Sequence, residues 1–210
     1  MTIGDIRREY AGDPLDEAHA HGDPFTQFST WFEQARVAEH DATAMSLATA
    51  TRDGRPSVRT VLLKGVDPRG FVFYTNYRSR KAREMDQTGR ASLLFLWRMI
   101  DRQVRVQGTV EKVSEADADA YFATRPLESR WSVYASRQSE KVESREALVS
   151  RYEVARRLYG DTVPRPRWWG GYRVVPDEFE FWQGRPSRLH DRLQYLRQDD
   201  GSWLRERLAP

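Results

Sequence analysis

The spacing of apolar residues predicts a helix near the start of the chain. Aromatic residues at three- and four-residue steps follow Asp23-Pro24, which supply an N-cap and a proline at the first helical position. A helix over about residues 24–39 is therefore predicted. The residues before it lack sustained periodicity, which predicts a mobile arm over 1–22 and a single domain over 23–210.

Beyond residue 44 the pattern changes to short runs with period-two alternation, separated by turn dipeptides such as Asp53-Gly54. This alternation is typical of antiparallel strands joined in a meander. The predicted strands are Met45–Ala50, Ser57–Val66, Phe71–Thr75, Ala91–Trp97, Gln103–Lys112, Gly171–Val175 and Glu178–Trp182, followed by a hairpin of Leu189–Leu196 and Trp203–Leu208.

Helical patterns interrupt the strands at three further places. Serine N-caps predict helices over Ser79–Met85, Ser114–Thr124 and Ser144–Tyr159. A mainly β (α+β) fold follows, in which antiparallel strands form a closed or nearly closed barrel with peripheral helices, because closure removes edge strands. The sequence has neither a G-x-G-x-x-G fingerprint nor a P-loop, which argues against a Rossmann domain.

The composition excludes several classes of site and partner. The 34 basic and 31 acidic residues nearly balance, so the charge does not indicate a nucleic-acid partner. The absence of cysteine excludes disulfides, thiolate metal sites and thiol nucleophiles, and the four histidines show no metal-ligand spacing with carboxylates. No apolar run approaches the about 18 residues that a membrane helix needs, and the first residues do not resemble a signal peptide. A cytoplasmic protein without a membrane partner is expected.

Two basic segments suit an anionic ligand. The segment Asn76–Lys81 places cations in the first turn of a predicted helix, where they oppose the helix dipole unless a phosphate binds there. Arg59 and Lys64 mark the two ends of an apolar strand and lie on opposite faces by alternation. Either segment is equally explained by solvated charges, so the residues alone leave both readings open.

A third candidate lies near the C-terminus. On a strand, Arg188, His190 and Arg192 share one face, and two guanidinium groups beside an imidazole form an anion site with a proton donor. A polar outer face of an edge strand is the alternative. The residues Tyr121, Arg125 and Ser129 recur at four-residue steps, although Pro126 breaks any continuous helix there.

Taken together, these segments resemble the pyridoxine (pyridoxamine) 5′-phosphate oxidase family. The resemblance is collinear from about Asp23 to Pro210, and Arg7-Arg-Glu-Tyr10 extends it into the arm. It is carried by six motifs in order: R-x-V-L-L-K, F-Y-T-N-x-x-S-R-K-A, R-Q-V-x-V-x-G, W-G-G-Y-R-V, E-F-W-Q-G and R-L-H-D-R.

The resemblance implies an FMN-binding split-barrel homodimer with the flavin at the subunit interface. Such an enzyme oxidises pyridoxine or pyridoxamine 5′-phosphate to pyridoxal 5′-phosphate, and O2 reoxidises the flavin with release of H2O2. Carried over by motif, the residues that contact FMN are Arg59, Lys64, Tyr74, Thr75, Arg80, Lys81, Gln103, Gln138, Ser139, Trp182 and Arg192. Among them, Arg80 and Lys81 are expected on the FMN phosphate.

The same resemblance implies the substrate contacts. The substrate phosphate is expected on Lys64, Tyr121, Arg125 and Ser129. Arg188 and His190 are expected over the pyridine ring as the catalytic pair, and Arg7 and Tyr10 are expected to close the arm over the site.

A paralogous FMN-dependent oxidase of a specialised metabolite is the alternative. The related phenazine-biosynthesis oxidases share the scaffold, and the segments 96–100 and 132–134 depart from the usual family pattern. These relatives generally lack an equivalent of Lys64, so its presence here favours a phosphorylated pyridine.

Overall fold

The computed structural model describes residues 2–5 and 8–210, so Arg7 lies outside the described residues. The strands are β1 (Ala44–Ala50), β2 (Pro56–Leu62), β3 (Gly65–Asp67), β4 (Gly70–Asn76), β5 (Arg90–Trp97), β6 (Arg102–Lys112), β7 (Trp169–Gln183), β8 (Asp191–Arg197) and β9 (Trp203–Arg207). The helices are α1 (Pro24–Ala38), α2 (Arg80–Thr88), α3 (Glu115–Thr124), α4 (Leu127–Ala135) and α5 (Arg145–Tyr159).

All nine strands join one antiparallel sheet. Its main path runs β2-β1-β5-β6-β7-β4-β3, and β8 pairs with both β7 and β9. The sheet curls so that β2 approaches β4, which lie far apart along the path. The predicted mainly β architecture with peripheral helices is confirmed.

The long strand β7 organises the molecule. Its first half pairs with β4 and its second half with β8, while β6 runs along nearly its whole length. The sequence predicted two strands here, Gly171–Val175 and Glu178–Trp182; the structure corrects this to one strand, and its pairing with β6 shifts register between Gln107 and Gly108. Gly108 is required at this shift, because a Cβ there would overlap the carbonyl oxygen of Val175.

The predicted strand Ser57–Val66 is likewise corrected. The strand β2 ends at Leu62, and the chain turns before β3 begins at Gly65. The Leu63 amide still donates to Thr43 O (2.9 Å), in register with the β1–β2 ladder, whereas the Lys64 amide donates to Val72 O on β4 (2.8 Å). The chain therefore leaves the β1–β2 ladder at Lys64. Lys64 therefore sits in the break rather than at a strand end.

The helix α1 covers one face of the curled sheet. Asp23 caps it as predicted, accepting from the Thr26 amide at 2.8 Å. Phe28 and Trp31 project into the core, where their rings pack edge-on against Phe71 and Phe181. Burial of each such aromatic side chain is worth about 1.5–3 kcal/mol, so this helix is tied firmly to the sheet.

The helices α3 and α4 meet at a sharp break. α3 ends at Thr124, and α4 begins at Leu127 directly after Pro126, where the predicted break is confirmed. Ser129 therefore lies on a different helix from Tyr121, and the four-residue spacing does not place the two on one helical face.

Residues 8–22 run along the C-terminal strands in this structure. Leu15 is buried in the core, and its amide donates to Asp191 Oδ2 at 3.1 Å. Glu17 pairs with Arg207 at 2.7 Å. The mobility predicted for the arm, and the division at residue 23, stay predictions. Within residues 2–5 and 8–210, no helix has the length and apolar character needed to cross a membrane.

Candidate cofactor and substrate site

A cavity of about 340 Å³ opens between β2, β4, α2 and α3. We call it the cationic cavity, because four cations and no carboxylate line it in the described part of the chain. Its walls comprise Arg59, Thr60, Val61, Leu62, Lys64, Tyr74, Thr75, Lys81, Tyr121, Arg125, Gln138 and Trp169. The break after β2 corrects the sequence prediction: Arg59 and Lys64 were expected on opposite faces, yet both reach this cavity.

Lys81 is the most deeply placed cation of the cavity. Only 8% of the residue is exposed, and its ammonium donates to Thr75 Oγ1 (3.2 Å) and Gln138 Oε1 (3.1 Å). Burial, helped by the charge of Arg59, lowers the pKa of Lys81 to about 8. In the part of the chain that the structure describes, no carboxylate pairs with this ammonium.

The two arginines beside Lys81 are fixed by protein contacts. Arg59 donates to Thr49 Oγ1 (2.6 Å) and to Leu47 O (3.1 Å) on β1. Arg80 is the first residue of α2; its amide donates to Ser139 Oγ (3.1 Å), and its side chain turns back to Glu84 (2.7 Å). The loop that carries Gln138 and Ser139 is thereby held against the start of α2.

Aromatic rings form the opposite wall of the cationic cavity. Tyr74 and Tyr121 stack with centroids 3.8 Å apart, and Trp169 stacks against Tyr74 at 5.5 Å. The guanidinium of Arg125 lies over the Trp169 ring at 4.6 Å. Burial raises the pKa of both tyrosines, so their hydroxyls remain neutral donors at physiological pH.

The donor set of this cavity fits an anion with several oxygens. Among the described residues, the buried Nη1 atom of Arg125 has no hydrogen-bond partner, and Lys81 has only neutral ones. Buried cationic donors are normally paired, because an uncompensated buried charge is costly. A phosphate group supplies both the charge and the acceptors that these donors lack.

A second group of predicted residues lies at the far end of β7. We call Tyr10, Trp182 and His190 the aromatic cluster: Trp182 and His190 have ring centroids 4.7 Å apart, and Tyr10 meets them edge-on at 5.4 and 5.3 Å. Gln103 of β6 pairs with Trp182 in the sheet. Arg192 of β8, opposite Trp182, pairs with the buried Glu180 at 2.9 Å.

The predicted strand face of Arg188, His190 and Arg192 is wrong. β8 begins only at Asp191, and Arg188 lies in a short 3-10 turn, Pro186–Arg188. Ser187 (φ 55°) and Arg188 (φ 62°) adopt left-handed backbone conformations, which are uncommon for residues other than glycine. The side chain of Arg188 is exposed to solvent on this turn, whereas the ring of His190 packs beside Trp182.

The structure thus distributes the predicted site residues over two regions. Within residues 2–5 and 8–210, no hydrogen bond or aromatic contact joins the cationic cavity to the aromatic cluster. Ser129 is half-buried on α4 and is not among the residues lining the cavity. Sequence reasoning missed Trp169 and Glu84; the tryptophan pair before Gly170 and the four-residue step from Arg80 to Glu84 were the available signals.

Comparison with known proteins identifies the family. The pyridoxamine 5′-phosphate oxidase family profile matches residues 32–159, and the pyridoxine 5′-phosphate oxidase C-terminal dimerisation region matches residues 169–210. The chain is 57% identical to the pyridoxine/pyridoxamine 5′-phosphate oxidase of Rubrobacter xylanophilus, over 99% of this chain and 96% of that protein. It is 53% identical to the enzyme of the same name from Bordetella petrii, with full coverage of both.

Two solved structures share the fold. PhzG from Burkholderia lata, in complex with tetrahydrophenazine-1-carboxylic acid, superposes with a TM-score of 0.89 at 36% identity, covering 95% of this chain and 99% of that one. An FMN-binding, pyridoxamine 5′-phosphate oxidase-related protein from Nostoc punctiforme superposes with a TM-score of 0.75 at 20% identity, covering 90% and 98%. The split-barrel prediction is confirmed, and the chain belongs to the pyridoxine/pyridoxamine 5′-phosphate oxidase family of oxidoreductases.

Proposed function

We propose that this protein oxidises pyridoxine 5′-phosphate and pyridoxamine 5′-phosphate to pyridoxal 5′-phosphate, as a cytoplasmic homodimer with FMN as cofactor and O2 as electron acceptor. The observation that carries the proposal is the cationic cavity, where four cations without a lining carboxylate adjoin a wall of stacked aromatic rings. Both the cofactor and the substrate of this reaction are phosphate esters of planar rings, which such a cavity suits.

The end of the cavity at α2 suits the FMN phosphate. Lys81 and Arg59 face it, Arg80 starts the helix, and Gln138 and Ser139 border it. The helix N-terminus adds free amide groups and a favourable dipole for an anion. Bound there, FMN would supply the redox chemistry of the proposed reaction: a hydride equivalent from C4′ of the substrate would go to N5, and O2 would finally take up two electrons and two protons to give H2O2.

The other end suits the substrate phosphate. Lys64 and the unpartnered Nη1 of Arg125 offer positive donors, and the neutral hydroxyl of Tyr121 offers a further one. Ser129, nearby on α4, is proposed to complete this set. We propose that the phosphates of both ligands bind within this one cavity, beside the shared aromatic wall.

A second copy of the chain is needed to complete the site. Trp182, His190 and Arg192 lie within the matched dimerisation region, residues 169–210, and have no hydrogen-bond or aromatic contact with the cationic cavity among the described residues. We infer that the aromatic cluster of one protomer faces the cationic cavity of its partner, which gives two FMN sites in the dimer.

The residues of the aromatic cluster are proposed to orient the substrate ring. The backbone amide of Arg185 donates to His190 Nδ1 at 3.1 Å, so the neutral imidazole carries its proton on Nε2, where it can donate to the substrate. Arg188 is proposed to contact the substrate from its exposed turn. Tyr10 and Arg7 are proposed to cover the bound substrate. Neither Arg188 nor His190 is assigned as an obligatory base.

A second candidate function has a specific observation in its favour. The likeness to PhzG, at a TM-score of 0.89, shows that a specialised-metabolite ligand occurs on nearly the same scaffold. An FMN-dependent oxidase of such a metabolite is therefore the alternative. The four lining cations favour the phosphorylated substrate, since a phosphate ester brings more negative charge than a single carboxylate.

The deciding experiment uses the purified protein in air. Its visible spectrum reports bound flavin, and addition of pyridoxine 5′-phosphate is followed by product absorbance and by peroxide. A yellow protein that forms both pyridoxal 5′-phosphate and H2O2 supports the proposal. A yellow protein that ignores this substrate favours the alternative, and a colourless protein that takes up no added FMN overturns both.

A further inference from the structure

A buried carboxylate lies behind the cationic cavity. Glu84, on α2, is only 3% exposed and is not among the residues that line the cavity. An ionised carboxylate in such a position is stable only when hydrogen bonds and opposite charges replace its water. The hydrogen-bond and ion-pair partners of Glu84 therefore show which side chains it holds in place.

Glu84 connects three elements through four partners. Its Oε2 accepts from Thr49 Oγ1 on β1 (2.5 Å) and from Ser57 Oγ on β2 (2.5 Å), and it pairs with Arg59 Nη2 at 3.3 Å. Its Oε1 accepts from Arg80 Nε at 2.7 Å. One carboxylate thus holds two arginines from two different elements, a strand and a helix.

The ionised state of Glu84 is secured by these contacts. Burial by itself raises the pKa of the carboxyl, but the hydrogen bonds from Ser57, Thr49 and Arg80 outweigh it and lower the pKa to about 2. The carboxylate is therefore charged at every pH at which the protein works. Glu84 therefore contributes a fixed hydrogen-bonding geometry and does not act through a change of protonation.

We propose that Glu84 is a positioning residue of the flavin phosphate site, which fixes the guanidinium groups of Arg59 and Arg80 before the ligand binds. This inference rests on the proposed function. Arginine side chains lose much rotamer freedom when they are ordered, and ordering them in advance leaves more of the interaction with phosphate as net affinity. Glu84 itself touches neither the cavity nor the ligand.

The test compares FMN with riboflavin, which lacks the phosphate. Flavin is removed from the protein, and each ligand is titrated by quenching of flavin fluorescence. In Glu84→Ala, FMN affinity is expected to fall about tenfold or more, because the side chain of Arg80 loses its partner and Arg59 loses one of its partners, while riboflavin affinity changes less than about threefold. In Glu84→Gln the amide oxygen still holds Arg59 but its NH2 group cannot accept from Arg80, so an intermediate loss is expected.

Glu33→Ala is the matched control. Glu33 is an exposed carboxylate on α1, paired only with Arg36 among the described residues, and its removal changes the net charge equally. We expect both of its flavin affinities to match those of the wild-type protein. Thermal unfolding of each variant shows whether it folds, and Glu84→Gln carries the comparison if Glu84→Ala does not.

Two outcomes overturn the proposal and are distinct from each other. A Glu84 variant that binds FMN as tightly as the wild type, or that weakens FMN and riboflavin equally, shows that Glu84 does not position the phosphate cations. A wild-type protein that binds FMN no more tightly than riboflavin contradicts the proposed phosphate site itself, and the role of Glu84 with it.

Discussion

The cationic cavity and the aromatic cluster differ in how the chain builds them. The cavity is set into regular elements: its cations lie on or beside β2, α2 and α3, and Lys81, Arg59 and Arg80 have defined partners at 2.6–3.3 Å. The aromatic cluster combines Trp182 at the end of a strand with a turn and the N-terminal arm. The cations of the first region are held by polar contacts, whereas the rings of the second are held mainly by packing against one another.

This difference suggests that the two regions have different functions. Groups fixed on rigid elements suit permanent retention of a cofactor, whereas groups on an arm and a turn can adjust to a substrate that must enter and leave. The two left-handed residues of the Arg188 turn belong to the second region. We therefore expect substitutions at the α2 end of the cavity to change flavin retention, and substitutions around the cluster to change turnover or substrate binding.

The largest effect is expected for Arg188→Ala. Arg188 is exposed, has no partner in the cationic cavity among the described residues, and is proposed to orient the substrate ring. Loss of that orientation is expected to lower kcat about a hundredfold, because small misplacements of the reacting atoms are costly. Steady-state rates of pyridoxine 5′-phosphate oxidation measure the effect.

Arg197→Ala is a suitable control for Arg188→Ala, because Arg197 is an exposed arginine at the far end of β8, the strand that follows the Arg188 turn. Its rate is expected to match the wild type. The flavin content of Arg188→Ala after gel filtration decides the comparison: a variant that loses its flavin along with its activity would place Arg188 with the cofactor and remove the proposed division.

The next largest effect is expected for Arg80→Ala, which removes a cation from the flavin phosphate site. FMN affinity is expected to fall about tenfold, in keeping with one charge-assisted hydrogen bond. The kcat of the variant saturated with FMN is expected to stay close to the wild-type value. Fluorescence titration and assays at high FMN measure the two quantities; unchanged affinity with reduced kcat would reverse the assignment of the two regions.

The same two regions show how much of the fold and of the candidate site could be predicted from the sequence. Most strand and helix positions were predicted well, because alternation and serine caps are local signals, as at Ser79, whose Oγ caps α2. The helix α4, which has no side-chain cap, was not predicted. Family resemblance supplied most residues of the cationic cavity. Local patterns failed where non-local partners decide the backbone, as at Lys64, whose amide turns to Val72, and at Arg188 in its left-handed turn.

Glu84 shows a further limit of sequence reasoning. Its spacing from Arg80 indicates an ordinary surface ion pair on a helix, since residues four apart are neighbours there. Its burial follows from β1 and β2, which cover it with Thr49 and Ser57. Such a role depends on tertiary packing, and the four-residue step from Arg80 to Glu84 does not by itself reveal it.

The pH dependence of FMN binding tests the cavity alone. Burial, with the charge of Arg59, lowers the pKa of Lys81 to about 8 in the ligand-free protein, so its ammonium loses its proton as the pH rises through 8. A bound phosphate favours the protonated form, so FMN affinity is expected to be highest below pH 8 and to fall about tenfold between pH 7 and pH 9. Riboflavin affinity is expected to change much less.

Lys81→Arg provides the comparison for this pH effect, because arginine keeps its charge throughout this range. Its FMN affinity is expected to stay nearly constant between pH 7 and pH 9, whatever its absolute value. A wild-type protein with a flat profile, or a variant that retains the decline, would show that a group other than Lys81 controls the titration.

The smallest effect is expected for Gly184→Ala, which tests whether the arm belongs functionally to the second region alone. A Cβ on Gly184 would lie 2.6 Å from Cδ1 of Tyr10, so the tyrosine must shift away from Trp182 and His190, whereas the described lining of the cationic cavity does not include this position. The KM for pyridoxine 5′-phosphate is expected to rise about threefold, with FMN affinity unchanged.

Tyr10→Phe is the control, because it keeps the ring packing and removes only the hydroxyl. Because ring packing is the contact that Gly184→Ala disturbs, a KM that rises in Tyr10→Phe but not in Gly184→Ala would assign the contribution of the arm to that hydroxyl instead.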